Sequence, residues 1–236
     1  VLIADDSQAE LGQPGDGSLH LDQSEGLERR NLPASMQATK IYMVEYPTEN
    51  VPRGRRRPGV TQDFLSTING KGAAIVNWIG HGNPRVWAHE QIFIRETTIP
   101  QMTNVDKPFL LTAATCDFAR FDMTSIQSGA EELLLHQNGG AIGVFSATRI
   151  VFAIENDAIN NEFYSQLFTR DADGRYPCMG DALLRTKVRR SGNNDQKFLL
   201  LGDPTMRLSI PDQRIIFDEI NGVGLDESGV QVKALQ

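Results

Sequence analysis

Apolar positions fall along the chain in six short runs, separated by segments of helical period. The runs are residues 1–4, Lys40–Val44, Ala73–Ile79, Pro108–Ala114, Ala141–Ser146 and Lys197–Leu201. Ala73-Ala74-Ile75-Val76 and Phe109-Leu110-Leu111 are apolar on consecutive positions, as strands are when side chains cover both of their faces. Between the runs the pattern predicts helices. Thr61 caps a short one carrying Phe64, Leu65 and Ile68, with Gly70 at its end. Ser128 and Glu131 make a capping box ahead of Leu133-Leu134-Leu135, and Asn138-Gly139 closes that helix. Ile159, Phe163 and Leu167 mark the stripe of a third helix, and a fourth runs from about Asp181 to Arg190. Strands alternating with helices predict an α/β fold, a mostly parallel sheet flanked by helices.

After Leu201-Gly202-Asp203-Pro204 the texture changes. Met206–Ile210, Arg214–Phe217 and Val230–Val232 are short β-like pieces between Pro, Gly and Asp turns. The reading is one domain over 1–210 and the truncated start of an all-β module over 211–236. Two stretches stand out by charge. Asp5 to Glu28 holds seven acids and no Lys or Arg, and Arg53-Gly54-Arg55-Arg56-Arg57 is a basic tip; both read as solvated loops. A calcium loop in the acidic stretch has no EF-hand spacing behind it. Asp171-Ala172-Asp173-Gly174 lacks the closing Glu of such a loop and reads as a β-turn.

Composition narrows the classes. With 236 residues, 40% hydrophobic and 22% charged, the chain can bury a core and falls outside disordered, collagen-like and disulfide-scaffold types. No apolar run approaches the roughly 20 residues of a membrane span. A net charge of -7 argues against a nucleic-acid partner. The chain opens directly on a strand-like Val1-Leu2-Ile3-Ala4 and reads as an excised piece, so the missing leader says nothing about export. Two cysteines, Cys116 and Cys178, allow one bridge or two free thiols.

Candidate chemistry gathers at two strand ends. Trp78-Ile79 runs into Gly80-His81-Gly82, and Thr112-Ala113-Ala114 runs into Thr115-Cys116. The carboxyl edge of a parallel sheet is where sites form. If these strands are neighbours, about 4.8 Å apart, imidazole and thiol share one crevice. An imidazole activates a thiol by taking its proton, and glycines flanking His81 leave backbone N–H groups uncovered for an oxyanion. A lone Cys at a strand end is otherwise a buried filler and a lone His in a glycine turn a surface residue, so dyad and structural pair stay open. Zinc is a weaker competitor, because His20, His81, His89, His136 and the cysteines lack ligand spacing. His89 and His136 read as ordinary surface residues. Cys178 reads as structural, in a turn before a helix. Val1 to Ser7 resembles the acidic opening of a phosphoacceptor receiver domain, but the third strand ends in Gly80-His81-Gly82 where that module needs an aspartate. Asp5 and Asp6 are then polar residues at the carboxyl edge of the first strand.

Asn77-Trp78-Ile79-Gly80-His81-Gly82, then Trp87 and Glu90, then Thr112 to Asp122 with Cys116 inside, resemble the catalytic segments of gingipain-type cysteine peptidases, of the caspase-like clan. Ser128-Gly129-Ala130-Glu131-Glu132, Asn138 to Ile142 and Leu201-Gly202-Asp203-Pro204 fit the same group, over roughly residues 1 to 210. Within the family the match is nearer to the branch that serves the type IX secretion system as a cell-surface sortase. The resemblance implies a caspase-like three-layer sandwich with Cys116 as nucleophile and His81 as general acid/base. It implies an oxyanion hole from the backbone of Gly82 and Cys116. By the same resemblance Trp87 and Glu90 are candidates for the substrate groove, and Glu45 for a third acid. No metal or other cofactor is implied. The implied partners are protein substrates with a C-terminal secretion domain, outer-membrane secretion components and anionic lipopolysaccharide, at the extracellular side of the outer membrane.

Overall fold

The computed structural model describes residues 1–6, 15–52 and 54–210, and the backbone of 219–220 and 223–224. In chain order the elements are β1 (Leu2–Ala4), α1 (Leu19–Asn31), β2 (Lys40–Tyr42), β3 (Glu49–Val51), β4 (Gly54–Arg56), α2 (Pro58–Asn69), β5 (Ile75–Ile79), β6 (Val86–Trp87) and β7 (Phe93–Ile94). There follow α3 (Arg95–Thr98), β8 (Phe109–Ala114), α4 (Gly129–Leu135), β9 (Ala141–Ala147), α5 (Ala153–Leu167), α6 (Met179–Arg189), α7 (Asn193–Gln196), β10 (Phe198–Gly202), β11 (Glu219–Ile220) and β12 (Val223–Gly224).

All six apolar runs become strands of one sheet, in the order β10-β9-β8-β5-β1-β2. Neighbours are parallel except β10, which pairs antiparallel with β9, Phe198 opposite Ala147 and Gly202 opposite Gly143. From β1 the chain crosses outward to β2 and then back to β5 on the other side, so strand order reverses between β1 and β5. Such a reversal opens a crevice at the carboxyl edge.

Side chains alternate across the sheet with the period of two that a strand imposes. Ile3, Val76, Trp78, Leu111 and Ala113 face a core closed by Val60, Phe64 and Ile68 of α2 and Leu133 of α4. Leu2, Ala4, Ile75 and Leu110 face a second core closed by Leu27 of α1, Ile159, Phe163 and Leu167 of α5, and Ala182 of α6. This is the sheet flanked by helices that the pattern predicts, in the three layers that the resemblance implies. Burial of each large apolar side chain contributes about 1.5–3 kcal/mol. Within the second core Phe145 stacks on Phe163 at 4.2 Å between ring centres. The amide nitrogen of the polar residue in β5 is paired: Asn77 Nδ2 donates to Thr112 Oγ1 at 2.7 Å, and that hydroxyl meets Tyr164 Oη at 2.9 Å.

Several local expectations change. α2 starts at Pro58, three residues before Thr61, because proline's fixed φ suits the first helical position; the Thr61 hydroxyl instead donates to Ile92 O at 2.6 Å. Gly70 does follow the helix end. The Ser128–Glu131 capping box forms, but α4 stops at Leu135, and Gly140 beyond it gives its N–H to Asn104. Asp171 to Gly174 closes as a turn, with Gly174 N–H on Asp171 O at 3.0 Å and Gly174 at φ 77. Met206–Ile210 is not a strand; the carbonyl of Met206 caps the start of α6 by accepting from Met179 N–H. Arg214–Phe217 and Val230–Val232 lie outside the described residues; β11 and β12 pair antiparallel, Glu219 opposite Gly224.

The two charged stretches are not simply solvated loops. Most of the second half of the acidic one is α1, whose buried face is His20, Gln23, Ser24, Gly26 and Leu27. The basic one supplies β4, which pairs with β3 in a hairpin. Arg57, at its foot, is 4% exposed and pairs with Asp6 at 2.5 Å, while Arg55 pairs with Glu90 at 2.9 Å. Buried carboxylates take these guanidinium groups inward, since an unpaired buried charge is costly.

Candidate active site

β5 and β8 are hydrogen-bonded neighbours, with Ile79 opposite Ala114. His81 and Cys116 each follow that registered pair by two residues, so both leave the sheet at the same edge of adjacent strands. The loops touch as well. A Cβ built on Gly82 would lie 2.6 Å from Thr115 Oγ1, so only glycine lets the loop rest against the residue before Cys116. Gly80 is similarly confined, since a Cβ there would lie 2.5 Å from Asp5 Cβ. Gly82 bridges to Trp87 through the hydrogen bonds of its neighbours, Asn83 N–H to Val86 O and Ala88 N–H to His81 O, rather than through its own N–H. That N–H belongs to the expected oxyanion pair. Directly after Cys116 the chain turns through Asp117 at φ 53, a left-handed conformation that Asp tolerates better than most residues.

The His81 ring is half exposed and well held. Its Nε2 lies 2.6 Å from Asp16 Oδ2. The His20 ring meets it edge-on at 5.5 Å and the His89 ring lies at 5.2 Å. Its backbone N–H donates to Asp5 Oδ2 at 2.8 Å. Burial pushes the Asp5 carboxyl up to about 7, against the opposing pull of the His81 N–H and ring. Burial alone would also raise Asp16, but the hydrogen bond and charge of His81 outweigh it and hold Asp16 below the ordinary carboxylate range. His20 is pushed down by burial and by His81.

Cys116 is half-buried and unpaired with Cys178, which is also a free thiol and caps the start of α6. Its Sγ lies 3.4 Å from Val151 O and 3.5 Å from Val151 N. Burial pushes the thiol up, the Val151 backbone pulls it down, Asp117 adds to the rise and Lys197 opposes it. The net direction is upward, so the thiol keeps its proton at neutral pH until a base takes it.

The other expected site residues are placed differently. Trp87 is 1% exposed and stacks between Trp78, at 5.4 Å, and Phe93, at 4.5 Å; it is a core residue, not a groove wall. The short β6–β7 hairpin turns it inward. Glu90 is buried on Arg55 and lines a cleft with Arg56, Arg57 and Thr61, which neither His81 nor Cys116 lines. Glu45 is exposed in a single 3-10 turn, and the carboxylate on the His81 ring is Asp16. His89 and His136 are half-buried rather than surface residues, and His136 Nε2 lies 3.1 Å from Met102 O. Asp16 escaped the sequence reading, and His20 entered it only as a zinc candidate set aside for want of ligand spacing; the one available signal was their spacing of four residues, one helical turn, around the start of α1.

The chain matches the model of peptidase family C25 over residues 1–209. No curated protein matches it significantly. Among solved structures it resembles the crystal structure of the Arg-specific cysteine proteinase gingipain R (RgpB), with TM-score 0.65 and 16% identity over 89% of this chain and 47% of that one. It also resembles the complex of Porphyromonas gingivalis RgpB pro- and mature domains, with TM-score 0.58 and 14% identity over 89% and 48%. A third, described as the structure of a protease, gives TM-score 0.59 and 13% identity over 89% and 48%. The chain thus spans about half the length of these structures. At such identities they attest the fold, and the family follows from the model match, which covers most of the chain: it belongs to peptidase family C25, the gingipain-type cysteine peptidases.

Proposed function

We propose that the chain carries the Cys–His centre of a surface transpeptidase of the PorU kind, which removes the C-terminal secretion domain from type IX secretion cargo. The observation that carries the peptidase part is the placement of His81 and Cys116 two residues beyond the Ile79–Ala114 pair on adjacent strands. In this reading the Cys116 sulfur attacks the carbonyl carbon of the scissile peptide bond while its proton passes to His81. The backbone N–H groups of Gly82 and Cys116 take the oxyanion. His81 then gives its proton to the departing amine, the C–N bond breaks, and a thioester remains on Cys116. An incoming amine, such as one on anionic lipopolysaccharide, attacks that thioester, loses a proton to His81, and frees the thiol as an amide forms. Asp16 holds the ring through its contact with Nε2. The run of motifs from Asn77 to Pro204, in order, supports the secretion-system branch.

A second reading has one observation in its favour. The His81 side chain is 49% exposed, which admits water to the thioester and favours simple hydrolysis. Mixing the protein, within its full-length parent, with a cargo C-terminal-domain fusion and a small amine, then reading product mass, separates the two. Amide product supports transfer. Free acid at saturating amine supports hydrolysis, and uncleaved cargo overturns both in favour of a docking module.

A further inference from the structure

The crevice where strand order reverses holds more than a histidine and its acid. His20, on the first turn of α1, is 4% exposed, and its Nε2 makes no hydrogen bond. Its other nitrogen, Nδ1, lies 3.4 Å from Gln23 Oε1. If Nδ1 carries the proton toward that carbonyl, Nε2 is a bare lone pair, buried and facing the site. The nearest group is Asp16 Oδ2 at 3.5 Å, the same oxygen that His81 Nε2 meets at 2.6 Å. A carboxylate oxygen of Asp5 lies within 4.8 Å of ligating atoms on both histidines.

Two imidazole nitrogens converging on one carboxylate are donors of the type that zinc takes, and a histidine held through its second nitrogen is the usual form of such a ligand. We propose that Asp16, His20 and His81 form a binding site for a divalent transition ion of the zinc class, with Asp5 behind them and solvent at the remaining position. Asp16 is 37% and His81 49% exposed in their side chains, which gives the ion a way in and a place for water. An ion held there takes His81 Nε2 from Asp16 and draws electron density from the ring, which lowers the basicity of the nitrogen left for a peptidase to use as base. The site is therefore an off-switch, released by chelation; that consequence rests on the peptidase reading, whereas binding does not.

The test uses the whole chain, with Zn2+ in competition against a chromophoric chelator and Co2+ as a spectroscopic probe. The expected result is one Zn2+ per chain and the strong visible bands of four-coordinate Co2+. His20→Gln should weaken Zn2+ binding at least about tenfold without altering turnover in chelator. Cys116→Ala should leave binding unchanged. No competition for Zn2+, equal affinity in His20→Gln, or loss of binding in Cys116→Ala would each overturn the site. Should circular dichroism show His20→Gln misfolded, Asp16→Asn, at a partly exposed position, replaces it: weakened Zn2+ binding there supports the site, and unchanged binding overturns it. A chain that binds Zn2+ through His20 yet cleaves nothing sinks the peptidase reading and leaves the metal site standing.

Discussion

The imidazole of His81 and the carboxylate of Asp16 meet at 2.6 Å although sixty-five residues separate them. The contact joins the end of β5 to the segment leading into α1, so the orientation of the candidate base depends on a part of the chain that carries no apolar pattern. Asp16→Asn should lower kcat by about 10- to 100-fold with KM little changed, since the acid acts on the charged imidazole rather than on substrate. Glu45→Gln, on an exposed turn, should leave both constants as they are. Equal kinetics for Asp16→Asn and the unmodified protein would remove Asp16 from the mechanism.

The raised Cys116 thiol sets how it meets electrophiles. A small neutral alkylating agent should modify Cys116 slowly at neutral pH, with the rate climbing above the usual thiol range. A peptide-like electrophile that settles over His81 should react faster, because the base is then used. Mass spectrometry of the Cys116 peptide against pH checks both. Cys116→Ala should abolish processing while costing at most about 1–3 kcal/mol in a denaturant melt; an active Cys116→Ala variant would end the thiol mechanism.

Most of the sheet was legible because its strands are buried on both faces, so Ile75 to Ile79 and Phe109 to Ala114 are apolar apart from Asn77 and Thr112, which bond to each other. The adjacency of the two candidate strand ends was legible for a related reason: an apolar run that stops at a glycine-flanked His, or at Thr115-Cys116, marks a strand end at the carboxyl edge of the sheet. What escaped is polar burial. α1 hides His20, Gln23 and Ser24 and only Leu27 among large apolar side chains, so it leaves no stripe, and its acids read as solvent-facing. Arg55 and Arg57 misled in the same way, because their partners Glu90 and Asp6 come from distant parts of the chain. Trp87 misled by proximity: sequence places it near His81, while the pairing of β6 with β7 puts its ring in the core.

Gly82 offers a test of the contact between the two loops. Gly82→Ala should destabilise the protein and depress activity, because its Cβ would meet Thr115 Oγ1 at 2.6 Å and Val86 O at 3.2 Å. Adding Thr115→Ala removes the first clash but not the second, so the double variant should recover part of the stability. Strict additivity of the two losses in a double-mutant cycle would show that the loops do not press on each other.

Asp5 predicts a pH dependence of stability. Its folded-state value of about 7 lies above that of an unfolded carboxylate, so the folded protein binds the extra proton between about pH 4 and 7. The stabilisation is complete below the lower value and is lost as pH rises through the upper one, amounting to on the order of 4 kcal/mol. Asp5→Asn keeps an oxygen for the His81 N–H but turns an amide toward the Asp6 N–H, which now donates to Asp5 at 2.9 Å. It should be less stable at pH 4 and flatter in its pH profile. An unchanged slope in chemical denaturation from pH 4 to 7.5 would contradict the raised carboxyl.

The direction of β10 decides where further polypeptide can be tethered. The parallel strands all deliver their residues to the edge that bears His81 and Cys116, whereas β10 runs the other way and ends at Gly202 beside Gly143, near the start of β9. Sequence joined beyond this strand therefore departs from the rear of the sheet. A reporter domain or affinity handle spliced in directly after Gly202 therefore begins at the edge away from the thiol.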